Sequence, residues 1–135
     1  VREFGACVLF DCHSMPHDAV RALTPRTQGT PDVVLGDRFG ASCSGWIADA
    51  AARAFERAGF RVARNTPFAG GYITSHYGRP EAQVHALQIE VDRSLYMDEK
   101  RIERSADFDD VRTRLIEVVG ELSQLHPDAL PMAAE

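Results

Sequence analysis

An α/β domain with a mostly parallel mixed sheet flanked by helices is the fold this sequence predicts, and two features predict it. Strand-length apolar runs at Ala6–Phe10, Asp32–Leu35, Phe60–Ala63 and Val84–Ile89 are separated by connections too long for hairpins, and two longer stretches among them carry helical periodicity. The chain of 135 residues is expected to form a single domain over residues 1–125, with 126–135 as a flexible tail. A domain of this length removes roughly two thirds of its unfolded surface from water, which suffices for one core.

Ala6-Cys7-Val8-Leu9-Phe10 is a continuous apolar run, expected as a strand buried on both faces, and it stops at Asp11-Cys12-His13-Ser14-Met15-Pro16. Polar residues at the carboxyl end of such a strand sit where open α/β sheets bind ligands. Pro16 to Pro31 is rich in Pro, Thr and Gly and is expected as a long surface loop with one helical turn. After the strand at Asp32–Leu35, a glycine-flanked turn, Gly36 to Ser42, leads into a helix over 44–58. Ile47, Ala50, Ala51, Ala54, Phe55 and Ala58 recur there at helical spacing; Ser42 or Ser44 caps the start and Gly59 ends it. Asn65 to Pro80 is expected as a loop. The strand at 84–89 ends in Glu90, and 107–125 is expected as an amphipathic helix. Phe108, Val111, Leu115, Val118, Val119, Leu122 and Leu125 form its stripe.

Composition excludes several classes. With 44% hydrophobic and 26% charged residues, and only short apolar runs, the chain reads as soluble, not membrane-spanning. The net charge of -5, with 15 basic residues scattered, leaves no stripe to follow a phosphate backbone, so nucleic acid is not an expected partner. Cys7, Cys12 and Cys43 show no CxxC spacing, which argues against a disulfide framework and a thiolate zinc site and for a reducing, cytoplasmic setting. The opening VREFGACVLFD has no signal-peptide pattern, and because it begins at Val1, sequence is expected to be missing upstream.

Several residues could carry chemistry, each with a plainer alternative. His13, on the segment leaving a buried strand, has the rigid base and solvent-facing ring a metal ligand needs. Alternatively, Asp11 and Ser14 make a turn and His13 is a surface residue. Glu90 ends an apolar strand and, partly buried, could serve as a general base; alternatively the strand simply reaches solvent there. The turn before the 44–58 helix could offer backbone donors at Gly40 to Ser42, with Arg38 forking onto a small carboxylate; a plain strand-to-helix connection is the alternative. His76, in the glycine- and aromatic-rich stretch Gly70–Pro80, is a ligand-facing or a structural histidine, and His85 is expected within the sheet. A cysteine amidase triad of Cys43, His76 and Glu90 is a rival for the catalytic centre.

Taken together, FDCHSMP, LGDRFGASC, PFAGGYITSHYGRP and VHALQIEVDRSLYMDE occur in the order found in the N-formylglutamate amidohydrolase family, which this chain resembles from about Cys7 to Glu99. The resemblance covers about the C-terminal half of the family domain. It implies part of a zinc-exopeptidase or phosphorylase/hydrolase-like fold. It further implies a zinc ion with His13 as a ligand, Glu90 as general base, and hydrolysis of an N-formyl or N-acyl amino acid such as N-formylglutamate, a reaction of amino-acid catabolism and histidine degradation. Arg38, Gly40, Ser42, Gly70, Gly71, His76 and Arg79 would hold the substrate. Two departures bear on specificity. Where the family has a segment like NGRFKGG, this chain has Asn65-Thr66-Pro67-Phe68-Ala69-Gly70-Gly71, without the basic pair, and Ser75 stands where Arg is usual. Arg64 and Arg79 are the available replacements.

A catalytic zinc takes three ligands from protein, and the sequence offers one good candidate, with His17, Asp18, His76 and His85 as remote additions. The alternative is therefore an incomplete or degenerate relative that folds but binds only a small carboxylate or a partner chain. An exposed sheet edge would favour a homodimer.

Overall fold

A computed structural model of the chain describes residues 1–24 and 29–126. In chain order these form β1 (Cys7–Met15), α1 (His17–Leu23), β2 (Val33–Gly36), α2 (Gly45–Arg57), β3 (Val62–Arg64), α3 (Tyr72–Tyr77), β4 (Val84–Asp92), β5 (Met97–Asp98), β6 (Glu103–Arg104) and α4 (Phe108–Leu122). The strands make a sheet in the order β1-β4-β2-β3, with β5 and β6 paired separately. β1 is parallel to β4 and β2 to β3, while β2 runs antiparallel to β4. The architecture is the expected mixed sheet with helices on its faces.

One face of the sheet is covered by α2 and α4. Ile47, Ala48, Ala51, Ala54 and Phe55 of α2 pack with Val33, Leu35, Leu87 and Ile89 of the strands and Val111, Val118 and Leu122 of α4. Each large apolar side chain buried here contributes roughly 1.5–3 kcal/mol relative to solvent exposure. On the other face Met15, Val20 and Val34 form a smaller cluster, with Ala63 and Phe68 against it. The remainder of that face is polar and carries the candidate site.

The structure departs from expectation in several places. β1 is an edge strand, not a doubly buried one: Cys7 is exposed and Leu9 is 38% exposed. It also runs on through the polar residues to Met15, and β4 continues past Glu90 to Asp92, because the two strands pair residue for residue over this length. The connection after Pro16 holds a two-turn helix, α1, which begins where the fixed backbone of Pro16 suits the residue before a helix. The stretch after Asn65 holds α3, six residues opened by Gly71 and too short to show a period. Val119 is 61% exposed and lies off the buried stripe of α4. The expected tail, apart from His126, lies outside the described residues.

Candidate active site

Alternation along the strands decides which side chains meet. In a parallel pair, partnered residues project to the same face. The register sets Asp11 beside Gln88, His13 beside Glu90 and Met15 beside Asp92. β4 therefore presents Gln88, Glu90 and Asp92 as a polar row on the face away from α2, and β1 sets Asp11 and His13 alongside. The turn reading of Asp11–Ser14 is overturned, since these residues are strand. Asp11 Oδ1 instead lies 2.9 Å from His13 Nε2, and Ser14, on the opposite face, accepts a 3.0 Å hydrogen bond from Arg93 Nε. Nor does the strand simply open to solvent at Glu90, which is only partly exposed.

Glu90 has its proton affinity raised. Burial is the main cause; His13 pulls the other way, Asp11 raises it further and Arg93 lowers it. Its Oε1 accepts a 3.0 Å hydrogen bond from Gln88 Nε2, and Gln88 Oε1 in turn accepts from the Gly71 N–H at 2.7 Å. Gln88 was not singled out from sequence. The signal was available: Gln88, Glu90 and Asp92 alternate, so a strand through all three must put them on one face.

The 69–71 loop reaches Gln88 because the strand beneath it is bare. Gly36 pairs with Gln88 across β2 and β4, and a Cβ there would lie 2.7 Å from Ala69 C and Gly70 N. Gly70 has φ +120, and a Cβ on it would fall 2.5 Å from Thr74 Oγ1 and 3.1 Å from Arg38 Cγ. The stem of the exposed Arg38 thus lies over Gly70, beside the row that holds Glu90.

The turn carrying Arg38 is held rigidly. Arg38, Phe39 and Gly40 all have left-handed backbone, at φ 53, 57 and 87, which costs the two non-glycine residues roughly 1–2 kcal/mol each. Buried Asp37 offsets this by accepting from Asn65 Nδ2 at 2.7 Å, Arg64 Nη2 at 2.6 Å and the Gly40 N–H at 3.2 Å. Burial pushes the Asp37 carboxyl up, and these hydrogen bonds outweigh it, leaving it below the ordinary carboxylate range. Asn65 Oδ1 accepts from the Asp37 and Phe39 N–H groups. The Gly40 and Ser42 N–H groups are directed at Asp37, and Ser42 Oγ donates to Ala86 O at 2.9 Å. These donors point into the turn. Arg64 is likewise engaged with Asp37 and Asp49.

Other candidates lie apart. His76 stacks on Tyr72, ring centroids 5.0 Å apart, on the exposed side of α3. Arg79 is bridged to Val84 at the far end of β4, six residues or roughly 20 Å of strand from Glu90. His85 is buried on the α2 side, where its Nδ1 accepts from the Ser44 N–H at 3.3 Å, and burial lowers its pKa. His17, by contrast, reaches the end of the polar row, its Nδ1 2.7 Å from Asp92 Oδ2, while Asp18 is on the exposed side of α1. Cys43 fails as a nucleophile: it is fully buried, and burial, reinforced by Asp37 and opposed by Arg64, pushes its thiol up to about 12.

A resident zinc would find in His13 one imidazole, with Asp11 placed to orient it as metal-bound histidines often require. Among the described residues, however, no group of three or more His, Cys, Asp or Glu could hold a metal ion. The donor set on these residues does not by itself fit a catalytic zinc.

A family model described as N-formylglutamate amidohydrolase matches residues 1–97. An N-formylglutamate deformylase of Pseudomonas aeruginosa is 41% identical over 101 residues, covering 73% of this chain and 36% of its own length. One of Pseudomonas putida is 36% identical over 98 residues, covering 72% and 36% respectively. The crystal structure of N-formylglutamate amidohydrolase from Ralstonia eutropha JMP134 superposes with a TM-score of 0.81 at 34% identity, over 90% of this chain and 44% of that one. The chain thus spans little more than a third of the length of these curated relatives. With the matched residues including both β1 and β4, this chain belongs to the N-formylglutamate amidohydrolase family.

Proposed function

We propose that this chain carries the general base and the carboxylate-binding side of a site that hydrolyses an N-formyl or N-acyl amino acid, with N-formylglutamate the first substrate to try. The observation that supports this most is the register that sets His13 beside Glu90 on one face, with Glu90 partly withdrawn from water. A carboxylate of raised proton affinity is suited to take a proton from water attacking the formyl carbon and to return it to the amine nitrogen as the C–N bond breaks. Formate and the free amino acid result. Arg38, anchored over Gly70 and exposed, is placed to fork onto a substrate carboxylate.

A zinc ion completed by donors from elsewhere would supply a Lewis acid for the carbonyl and lower the pKa of the attacking water. On this reading His13 is one ligand and the others come from outside the described residues; Glu90 and Arg38 keep their roles as stated. A cytoplasmic setting and a homodimer along the open edge of β1 belong to the same proposal. Among the described residues no helix is long and apolar enough to cross a membrane.

The test combines zinc content, by elemental analysis after reconstitution and desalting, with formate release from N-formylglutamate. Formate release is expected to fall by about 10²–10⁴-fold in folded Glu90→Gln, and any zinc the chain retains is expected to be lost in His13→Ala. Undiminished release by Glu90→Gln would overturn the proposal. The incomplete donor set favours a second reading, a chain that folds and binds a small carboxylate or a partner without turnover; a folded chain that retains no zinc and releases no formate decides for it.

A further inference from the structure

We propose that Gln88 is the positioning residue for Glu90, and that it fixes the carboxylate to the loop on which Arg38 rests. The inference deepens the hydrolase reading and rests on it for its catalytic meaning, but its geometry stands independently.

Gln88 is 7% exposed and uses both ends of its amide: Oε1 takes the Gly71 N–H at 2.7 Å, and Nε2 donates to Glu90 Oε1 at 3.0 Å. The two contacts fix the amide's orientation. Turned over, it would face its NH2 to another N–H and its carbonyl to a carboxylate, both repulsive. The amide therefore selects one arrangement, with Glu90 as acceptor and the 69–71 loop down against the strand. Gly36 permits that approach, because a side chain there would strike Ala69 and Gly70. Arg38 leans on the same Gly70, so the group placed to bind substrate and the group placed to move its proton share one support. Glutamate in place of Gln88 would keep the acceptor for Gly71 and set a second carboxylate against Glu90. Methionine would remove both contacts at similar length. The two variants therefore separate support of the loop from support of Glu90.

The experiment measures, by NMR on the full chain, amide exchange of Gly71, exchange of the Gln88 side-chain NH2, and the χ1 populations of Glu90; Leu87 and Ile89 amides report the fold. In the unaltered chain the Gln88 NH2 is expected to exchange slowly; exchange at the rate of a free glutamine overturns the proposal without any variant. Gln88→Met should speed Gly71 exchange by about tenfold or more and let Glu90 sample several rotamers. Gln88→Glu should keep Gly71 protected and still displace Glu90. A single unchanged Glu90 rotamer in either folded variant overturns the proposal. Formate release is assayed in parallel, where kcat should fall by about a hundredfold in both variants, with KM little changed in Gln88→Glu, which keeps the loop, and raised in Gln88→Met, which frees it together with Arg38. Unchanged kcat in an active chain overturns the positioning role. An unaltered chain with no formate release but with the NMR behaviour described refutes the hydrolase reading and leaves the Gln88–Glu90 link standing.

Discussion

At the scale of single residues, Glu90 and Asp37 are opposite cases of a carboxylate near the sheet. Glu90 is partly buried with its pKa raised, so the folded state holds its proton more tightly than the unfolded chain does. As pH rises from the ordinary glutamate range through the folded value, its ionisation works against folding. Glu90→Gln is therefore expected to lose about 10²–10⁴-fold in formate release while its urea midpoint at pH 7 equals or exceeds that of the parent. Asp37 has a lowered pKa, so its stabilisation is present above the unfolded carboxylate range and disappears as pH falls through the folded value. Asp37→Asn should cost about 2–3 kcal/mol at pH 7, below the roughly 3–5 kcal/mol of a fully buried pair because Arg64 is partly exposed, and the deficit should shrink on acidification in urea titrations. His13 and Glu90 were legible because each stands at the polar end of an apolar run. Gln88 was passed over because a neutral amide inside a strand gives no such contrast, and only the alternation with Glu90 and Asp92 marks it.

At the scale of elements, helices with a long amphipathic period were predictable and short ones were not. α2 follows from its apolar spacing, although Ser44 makes no side-chain cap and sits against His85 instead. α3 is a Tyr-Ile-Thr sequence, locally suited to strand, that forms a helix because Gly71 and Gly78 bound it over β4. The glycines allow two contrasting tests by denaturant unfolding. Gly36→Ala forces a Cβ into the Ala69–Gly70 backbone and should destabilise by about 1–3 kcal/mol. Gly120→Ala, on α4 with nothing within 4 Å, should stabilise by about 1 kcal/mol through helix propensity alone.

For the molecule as a whole, the sheet has a polar face with the site and an apolar face under helices, but among the described residues β1 has no partner on its outer side. Its run of apolar residues gave the expectation of burial on both faces; strand order, a non-local property, puts it outside. An apolar groove of about 400 Å³ between α4 and Tyr96, lined by Phe108, Leu115, Ile116 and Val119, lies away from Glu90. A charge on an edge strand discourages strand-to-strand association, so Leu9→Lys should lower any dimer fraction measured by light scattering. The pairing of His13 with Glu90 has an evolutionary corollary. Each sits on its own strand, and the chain between those strands also builds β2, β3 and α2, of which β2 pairs with β4 and α2 packs against it. Descendants of this gene can therefore lengthen or shorten the exposed loops within that connection while the two groups stay abreast. A single-codon insertion inside either strand, by contrast, turns one of the groups through to the helical face and separates the pair at a stroke.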